Sequence, residues 1–231
     1  QTRAGFADRG LPTISVDTKK KELIGPFKSN GRAWKDEPIP VYDHDFPSDA
    51  HGRIVPFGIY DIQANHGFLW VGTAAETPAF GVDGIEHWWT HIGSPRYPEA
   101  RELLILADCG GANSYRSRVW KYRLQKQLCD AHGVTVTVCH YPPGASKWNP
   151  IEHRLFSQIS KNWAGEPLFT YQAALNYIRS TRTDTGLSVE AHFVRRKYHT
   201  GERIPQAQMD TLSLQPHHTL PAWNYSLAPS T

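Results

Sequence analysis

Three acidic residues occupy positions that chemistry explains better than folding does. Asp17 ends the β-branched run Thr13-Ile14-Ser15-Val16, Asp108 ends the apolar run Leu103-Leu104-Ile105-Leu106-Ala107, and Glu152 follows Asn149-Pro150-Ile151. Aspartate is a poor strand residue. An acid at the carboxyl end of a central strand, followed by glycines, marks where α/β sheets place ligand sites. Asp108 fits that description, with Cys109-Gly110-Gly111-Ala112-Asn113 behind it. Each acid also has a structural explanation: Asp17 at a turn edge, and Glu152 as the third-position partner of an Asn149-x-x-Glu152 capping box.

Gathered in one place, three carboxylates repel one another unless cations neutralise them. Hard, oxygen-preferring Mg²⁺ or Mn²⁺ suits such ligands. Two ions about 3.5–4 Å apart activate water or a 3′-hydroxyl on one side of a phosphodiester and stabilise the leaving oxygen on the other. The chemistry is then phosphoryl transfer at a nucleic-acid backbone, with few further groups beyond those that position the substrate. Lys19, Lys20 and Lys147 are candidate phosphate contacts, and Arg116 and Arg118 extend the set. Asn113, Asn149 and His153 are candidates for orienting the acids or the substrate.

The elements that must position these residues follow from patterning. Thr13–Asp17 reads as a short strand. Residues 18–55, with Gly25-Pro26, Asn30-Gly31, Pro38 and Pro40, read as an irregular insertion. Pro56–Gln63 and Phe68–Thr73 read as two strands around an Asn65-His66-Gly67 turn. Thr77-Pro78 opens a helix with Phe80, Gly84, Trp88 and Ile92 on one stripe and Gly93 as its stop. The run at 103–107 has the signature of a strand buried on both faces. Ser114 is expected to cap a helix running to about His132, and Val134, Val136 and Val138 alternate along the next strand. A loop with Pro142, Pro143 and Gly144 then leads into a helix. Asn149 is its expected N-cap, Pro150 its first residue, and Ile151, Leu155, Phe156, Ile159 and Trp163 its apolar face. Thr170 starts a further helix to about Thr181, and beyond Thr183 the pattern breaks into short pieces.

Strand, two-stranded hairpin, helix, strand, helix, strand, helix is the element order of a ribonuclease H-like α/β fold. The expectation is a mixed five-stranded sheet with helices on both faces. Its first strand lies beside the strand that follows the first helix, about 4.8 Å away. Asp17 and Asp108 then meet, and the helix carrying Glu152 crosses them. Residues 1–183 are read as the catalytic domain, with the insertion at 18–55. Residues 184–231 are read as a C-terminal extension that packs back through Trp223-Asn224-Tyr225.

Composition bounds the setting. A chain of 231 residues at 39% hydrophobic content can bury one sizeable core. The formal charge of +3 permits an anionic partner without demanding one. Lys19-Lys20-Lys21, Arg116 to Arg123 and Arg195-Arg196-Lys197 concentrate the positive charge locally. Three cysteines suit a reducing compartment better than a disulfide scaffold. His87 and His91 lack the Glu of a zinc-protease helix, and Cys129, His132, Cys139 and His140 match no standard zinc spacing. No apolar run is long enough to span a bilayer.

Longer motifs sharpen the reading. Ile14-Ser15-Val16-Asp17-Thr18-Lys19-Lys20-Lys21-Glu22-Leu23-Ile24-Gly25, the Ala107-Asp108 site with its glycines, and Ser146-Lys147-Trp148-Asn149 with Ile151-Glu152-His153-Arg154-Leu155-Phe156 are similar to the Rhodopirellula transposase DDE domain family. The similarity spans nearly the whole chain. It implies Asp17, Asp108 and Glu152 as catalytic and metal-binding triad, two Mg²⁺ or Mn²⁺ ions, and insertion-sequence transposition. It also implies transposon-end and target DNA as partners, a homo-oligomer in the synaptic complex, and a bacterial cytoplasm at the nucleoid. It further implies an N-terminal helix-turn-helix region, expected ahead of Gln1. Cys109 stands where a third glycine is expected and Pro150 where a lysine is expected. The rival readings are a ribonuclease H-like nuclease or resolvase that does not join strands, and a non-catalytic DNA-binding remnant.

Overall fold

The apolar run at 103–107 becomes the middle of the sheet. In the computed structural model, which describes every residue except Ala74, Pro143 and Thr231, this strand is β5 (Glu102–Ala107). Pro143 of the loop before the Glu152 helix thus lies outside the described residues. Leu103, Ile105 and Ala107 pack into a core on one face of the sheet, and Leu104 and Leu106 pack against Phe6 on the other. Burial on both sides is what an uninterrupted apolar strand requires.

Around it lie β1 (Thr13–Thr18), β2 (Glu22–Ile24), β3 (Gly52–Asp61), β4 (His66–Gly72), β6 (Thr135–His140), β7 (Ser188–Phe193), β8 (Leu214–Pro216) and β9 (Asn224–Leu227). The order across the sheet is β7-β4-β3-β1-β5-β6-β9-β8, with β2 paired to β3. The inner run β4-β3-β1-β5-β6 is the expected five-stranded unit; β1 lies beside β5 as expected, and the two run parallel. The sheet itself is larger, with nine strands. Residues beyond 184 supply the additions at both edges: β7 runs parallel to β4, and β9 runs antiparallel to β6. Tyr225 is fully buried in β9.

Helices α1 (Thr2–Asp8), α2 (Pro78–Trp88), α3 (Ser94–Arg96), α4 (Arg118–Leu124), α5 (Ser157–Asn162), α6 (Tyr171–Ser180) and α7 (Gln206–Met209) cover the sheet. One core joins Ile14, Val16, Phe57 and Ile105 to α2 and α4 through Phe80, Trp88 and Trp120. The other joins Tyr60, Leu69 and Val71 to Ile151, Leu155, Phe156 and Ile159, and to α6 through Leu175 and Ile178. The helices therefore lie on both faces.

Local chemistry sets several boundaries. Thr77 caps α2 by accepting the Phe80 N–H at 3.2 Å, and Thr170 caps α6 by accepting the Ala173 N–H at 3.0 Å. Gly93 does not stop the α2 helix, which passes through a π-helical turn at Trp89–Gly93 into α3. Ser114 is not the cap of α4. Ser117 is, accepting the Trp120 N–H at 3.1 Å, because Gly111–Asn113 is taken up by a 3₁₀ turn. In the hairpin between β3 and β4, Asn65 takes the positive φ of 48°. Gly67 instead lies in β4, where a Cβ would collide with Leu155. Among the described residues no helix is long and apolar enough to cross a membrane.

Candidate active site

Alternation along β1 divides its side chains. Ile14 and Val16 enter one core, which leaves Ser15 and Asp17 facing the opposite side, toward the helix that carries Glu152. The parallel register pairs Val16 with Ala107, so the next residues, Asp17 and Asp108, leave neighbouring strands side by side. Gly58 pairs with Asp17 from β3, and a Cβ there would collide with Phe156 and Ile151. Gly58 and Gly67 together let the Glu152 helix lie directly on the sheet.

The start of that helix departs from the capping-box expectation. Pro150 is the first helical residue, but Asn149 does not cap its own helix. The Asn149 side chain is fully buried; its Oδ1 accepts from the Ser15 hydroxyl, and its Nδ2 donates to the Val16 carbonyl at 3.3 Å. Ser15 Oγ accepts the Ile151 N–H at 3.2 Å and so supplies the cap from the strand. Glu152 is released from capping, and its carboxyl lies within range of that of Asp17. It opens a π-helical turn, Glu152–Phe156, a distortion common at functional sites.

The three acids feel one another. Burial, and then the charge of Asp108, push the Asp17 carboxyl up to about 8. Its Oδ1 still accepts the Thr18 N–H at 2.7 Å. Burial also raises Asp108, against the pull of the Gly110 N–H at 3.1 Å and the Asn113 Nδ2 at 3.0 Å, both donated to its Oδ1. Glu152 is raised by burial, and the neighbouring Asp17 carboxyl opposes that rise. A raised Asp17 carboxyl carries less charge against its neighbours, which relieves part of the repulsion.

Among the described residues no group of three or more His, Cys, Asp or Glu side chains stands arranged to hold a metal ion. The charges of the acids reach one another without their oxygens forming a finished cage. Their chemistry nonetheless fits a hard divalent cation: all donors are carboxylate oxygens whose mutual charge favours a counter-ion. Asn113 Oδ1 beside Asp108 and Thr18 Oγ1 beside Asp17 are buried without a hydrogen-bond partner among the described residues.

The remaining candidates separate. Lys19 is buried, pairs with Glu22 at 3.0 Å and lies 4.5 Å from the Trp163 ring centre. Lys20 and Lys147 are exposed, the latter over the Trp148 ring. Arg116 bonds the Tyr115 hydroxyl beside a cleft of about 420 Å³ lined by Asp108, Cys109 and Gly110. Arg118 turns to the C-terminal segment, donating to the Ile204 carbonyl at 3.4 Å and to Gln206 at 2.8 Å. His153 bonds the Lys147 carbonyl on the exposed side of its helix. Cys109 donates its thiol to the Tyr141 carbonyl at 2.9 Å.

Two neighbours of the site were not singled out for it from sequence. His140 stands buried with Nε2 2.8 Å from the Asn113 carbonyl oxygen and Nδ1 2.8 Å from that of Trp223. Burial drives its imidazole toward the neutral form, outweighing the pull of the two carbonyls. Glu76 is the other. Its charge reaches both Asp17 and Asp108, and it lies in a stretch with no periodic signal.

With this geometry in place, the comparison with known proteins is direct. The Rhodopirellula transposase DDE domain matches residues 1–229. The chain belongs to that family. No curated protein matches it in sequence. Among solved structures, the Mos1 transposase paired-end complex with left transposon end is similar at a TM-score of 0.51 and 11% identity, covering 75% of this chain and 49% of that one. The Mos1 mariner paired-end complex with Mn has a TM-score of 0.45 and 14% identity, covering 71% of this chain and 46% of that one. At such identities the first likeness is one of fold alone. This DDE domain spans about half the length of the Mos1 chains.

Proposed function

We propose that this DDE domain is the catalytic domain of a DNA transposase, cleaving phosphodiester bonds at the ends of an insertion sequence and joining the freed 3′-hydroxyls to target DNA. The observation that carries the reading is the meeting of Asp17, Asp108 and Glu152 from two parallel strands and one crossing helix, within a chain of this family.

Asp17, Asp108 and Glu152 would hold two Mg²⁺ or Mn²⁺ ions. Such ions, when bound, activate the attacking water or 3′-hydroxyl and stabilise the leaving oxygen. The chain's own groups set the stage. The Thr18 N–H fixes Asp17, and the Gly110 N–H and Asn113 amide fix Asp108. Ser15 and Asn149 anchor the helix start that presents Glu152. Lys20 and Lys147, exposed near the acids in sequence, supply phosphate contacts, and Arg116 borders the cleft beside Asp108.

The partners proposed are transposon-end and target DNA, engaged by a homo-oligomer that brings two ends together at the bacterial nucleoid. Support for DNA ends comes from the fold neighbour, whose structure is that of a transposase with its left transposon end. A strand-transfer assay with pre-cleaved element ends and Mg²⁺ tests the proposal. Joined products support it. Cleavage of intact ends without joining assigns the chain to nucleases, and neither activity assigns it to non-catalytic DNA binding.

A further inference from the structure

The loop after Asp108 is held by two carboxylates. Gly110 N–H donates to Asp108 Oδ1 at 3.1 Å, and Ala112 N–H, two residues on, donates to Glu76 Oε1 at 3.3 Å. Gly111 between them has φ of 56°, and a Cβ there would collide with Glu76 Oε1. Glycine is therefore required for both backbone conformation and space. The other oxygen of Glu76, Oε2, lies 3.4 Å from Lys21 Nζ, four residues beyond Asp17.

Glu76 thus reaches both segments that carry strand-end acids. Its side chain is 19% exposed, against 44% for Lys21, so the acid is the more enclosed partner of the pair. The same loop ends at Asn113, whose Nδ2 bonds Asp108 while its buried Oδ1 has no partner among the described residues. A buried acceptor without a donor asks for a ligand hydrogen or a bound water.

We propose that Glu76 is a positioning residue of the active centre: it fixes the Asp108 loop through Ala112 N–H, ties that loop to the Asp17 segment through Lys21, and adds a fourth negative charge around the cation site. This rests on the divalent-cation reading of the triad. The added charge strengthens attraction for a divalent cation. Arrival of a DNA phosphate gives Lys21 a second anionic partner at the mouth of the site.

The test compares the wild-type chain, Glu76→Gln and Glu76→Ala by calorimetric titration with Mn²⁺ alone, alongside metal-free thermal unfolding and cleavage of end DNA. Glutamine keeps an oxygen for Ala112 N–H and removes the charge. The expected result is Mn²⁺ affinity lowered about tenfold or more in Glu76→Gln, within the range for residues that support metal ligands. Its metal-free unfolding midpoint should be unchanged or higher. Glu76→Ala should lose affinity further and require more Mn²⁺ for half-maximal cleavage. Wild-type Mn²⁺ affinity in both variants overturns the proposal, as does a loss that appears only with a matching fall in the unfolding midpoint. Absence of Mn²⁺ binding by the wild-type chain would instead overturn the underlying reading of the triad.

Discussion

Ser15 Oγ receives the N–H of Ile151 at 3.2 Å, so a strand residue caps a helix 136 positions later in the chain. Ser15 and Asp17 share one face of β1, and Glu152 is the next residue after Ile151. One hydroxyl therefore fixes the distance between two of the three acids. Ser15→Ala should cost about 0.5–2 kcal/mol of stability, the usual range for a lost helix cap. It should lower cleavage by more than that loss explains, because Glu152 loses its fixed height above Asp17. Chemical unfolding and single-turnover cleavage on the same variant check this. Cleavage at the wild-type rate would remove Ser15 from the account.

The protonation of Asp17 gives a pH dependence with a definite sign. Its carboxyl is pushed up to about 8 in the fold, while an unfolded aspartate titrates near about 3.9. A raised folded value means the native state binds the proton more tightly. The contribution to stability is full below about pH 4 and is lost as pH rises through about 8. The metal-free unfolding midpoint should fall across that window, and Asp17→Asn should flatten the fall. Mg²⁺ should raise the midpoint more at pH 8 than at pH 6, since it replaces the proton. A midpoint that rises with pH in wild type and variant alike would refute this.

Gly58 faces Asp17 across the β1–β3 pair, with Phe156 and Ile151 where a Cβ would stand. Gly58→Val should overpack this contact, at about 1–3 kcal/mol, and lift the Glu152 helix from the sheet. Mn²⁺ affinity, measured on the folded fraction, should fall with it. Unaltered affinity would show that helix height does not set the site.

Much of this was legible in the chain. The apolar run at 103–107 announced a central strand, and acids at strand ends announced a site, because backbone alternation and burial act locally. Asn149 misled, since Asn-Pro-x-Glu is a capping pattern in any isolated helix, yet Ser15 takes that role from a distance no local pattern encodes. Glu76 escaped notice because its only signal is spatial: the Ala112 amide and Lys21 reach it from elsewhere. The packing of Trp223-Asn224-Tyr225 is legible as a contact but β7 and β9 are not legible as strands, because short edge strands gain order from their neighbours more than from their own composition.

The basic residues divide into those free to meet DNA and those already engaged. Lys20→Ala and Lys147→Ala should each weaken DNA binding across sequences and reduce the salt slope of the binding constant by about 1. Arg118→Ala should leave that slope unchanged and instead loosen the segment around Ile204 and Gln206 that it holds. Filter binding across a salt series, with limited proteolysis, separates the two. A slope change for Arg118→Ala equal to that of Lys20→Ala would erase the distinction.

The central claim is that Asp17, Asp108 and Glu152 jointly hold divalent cations. Anomalous scattering from crystals soaked in Mn²⁺, at a pH above that at which Asp17 loses its proton, tests it most directly. The account predicts manganese peaks bounded by carboxylate oxygens of all three acids, abolished in Asp108→Asn crystals of unchanged fold. Manganese absent from that site, or equally present in Asp108→Asn, would contradict it.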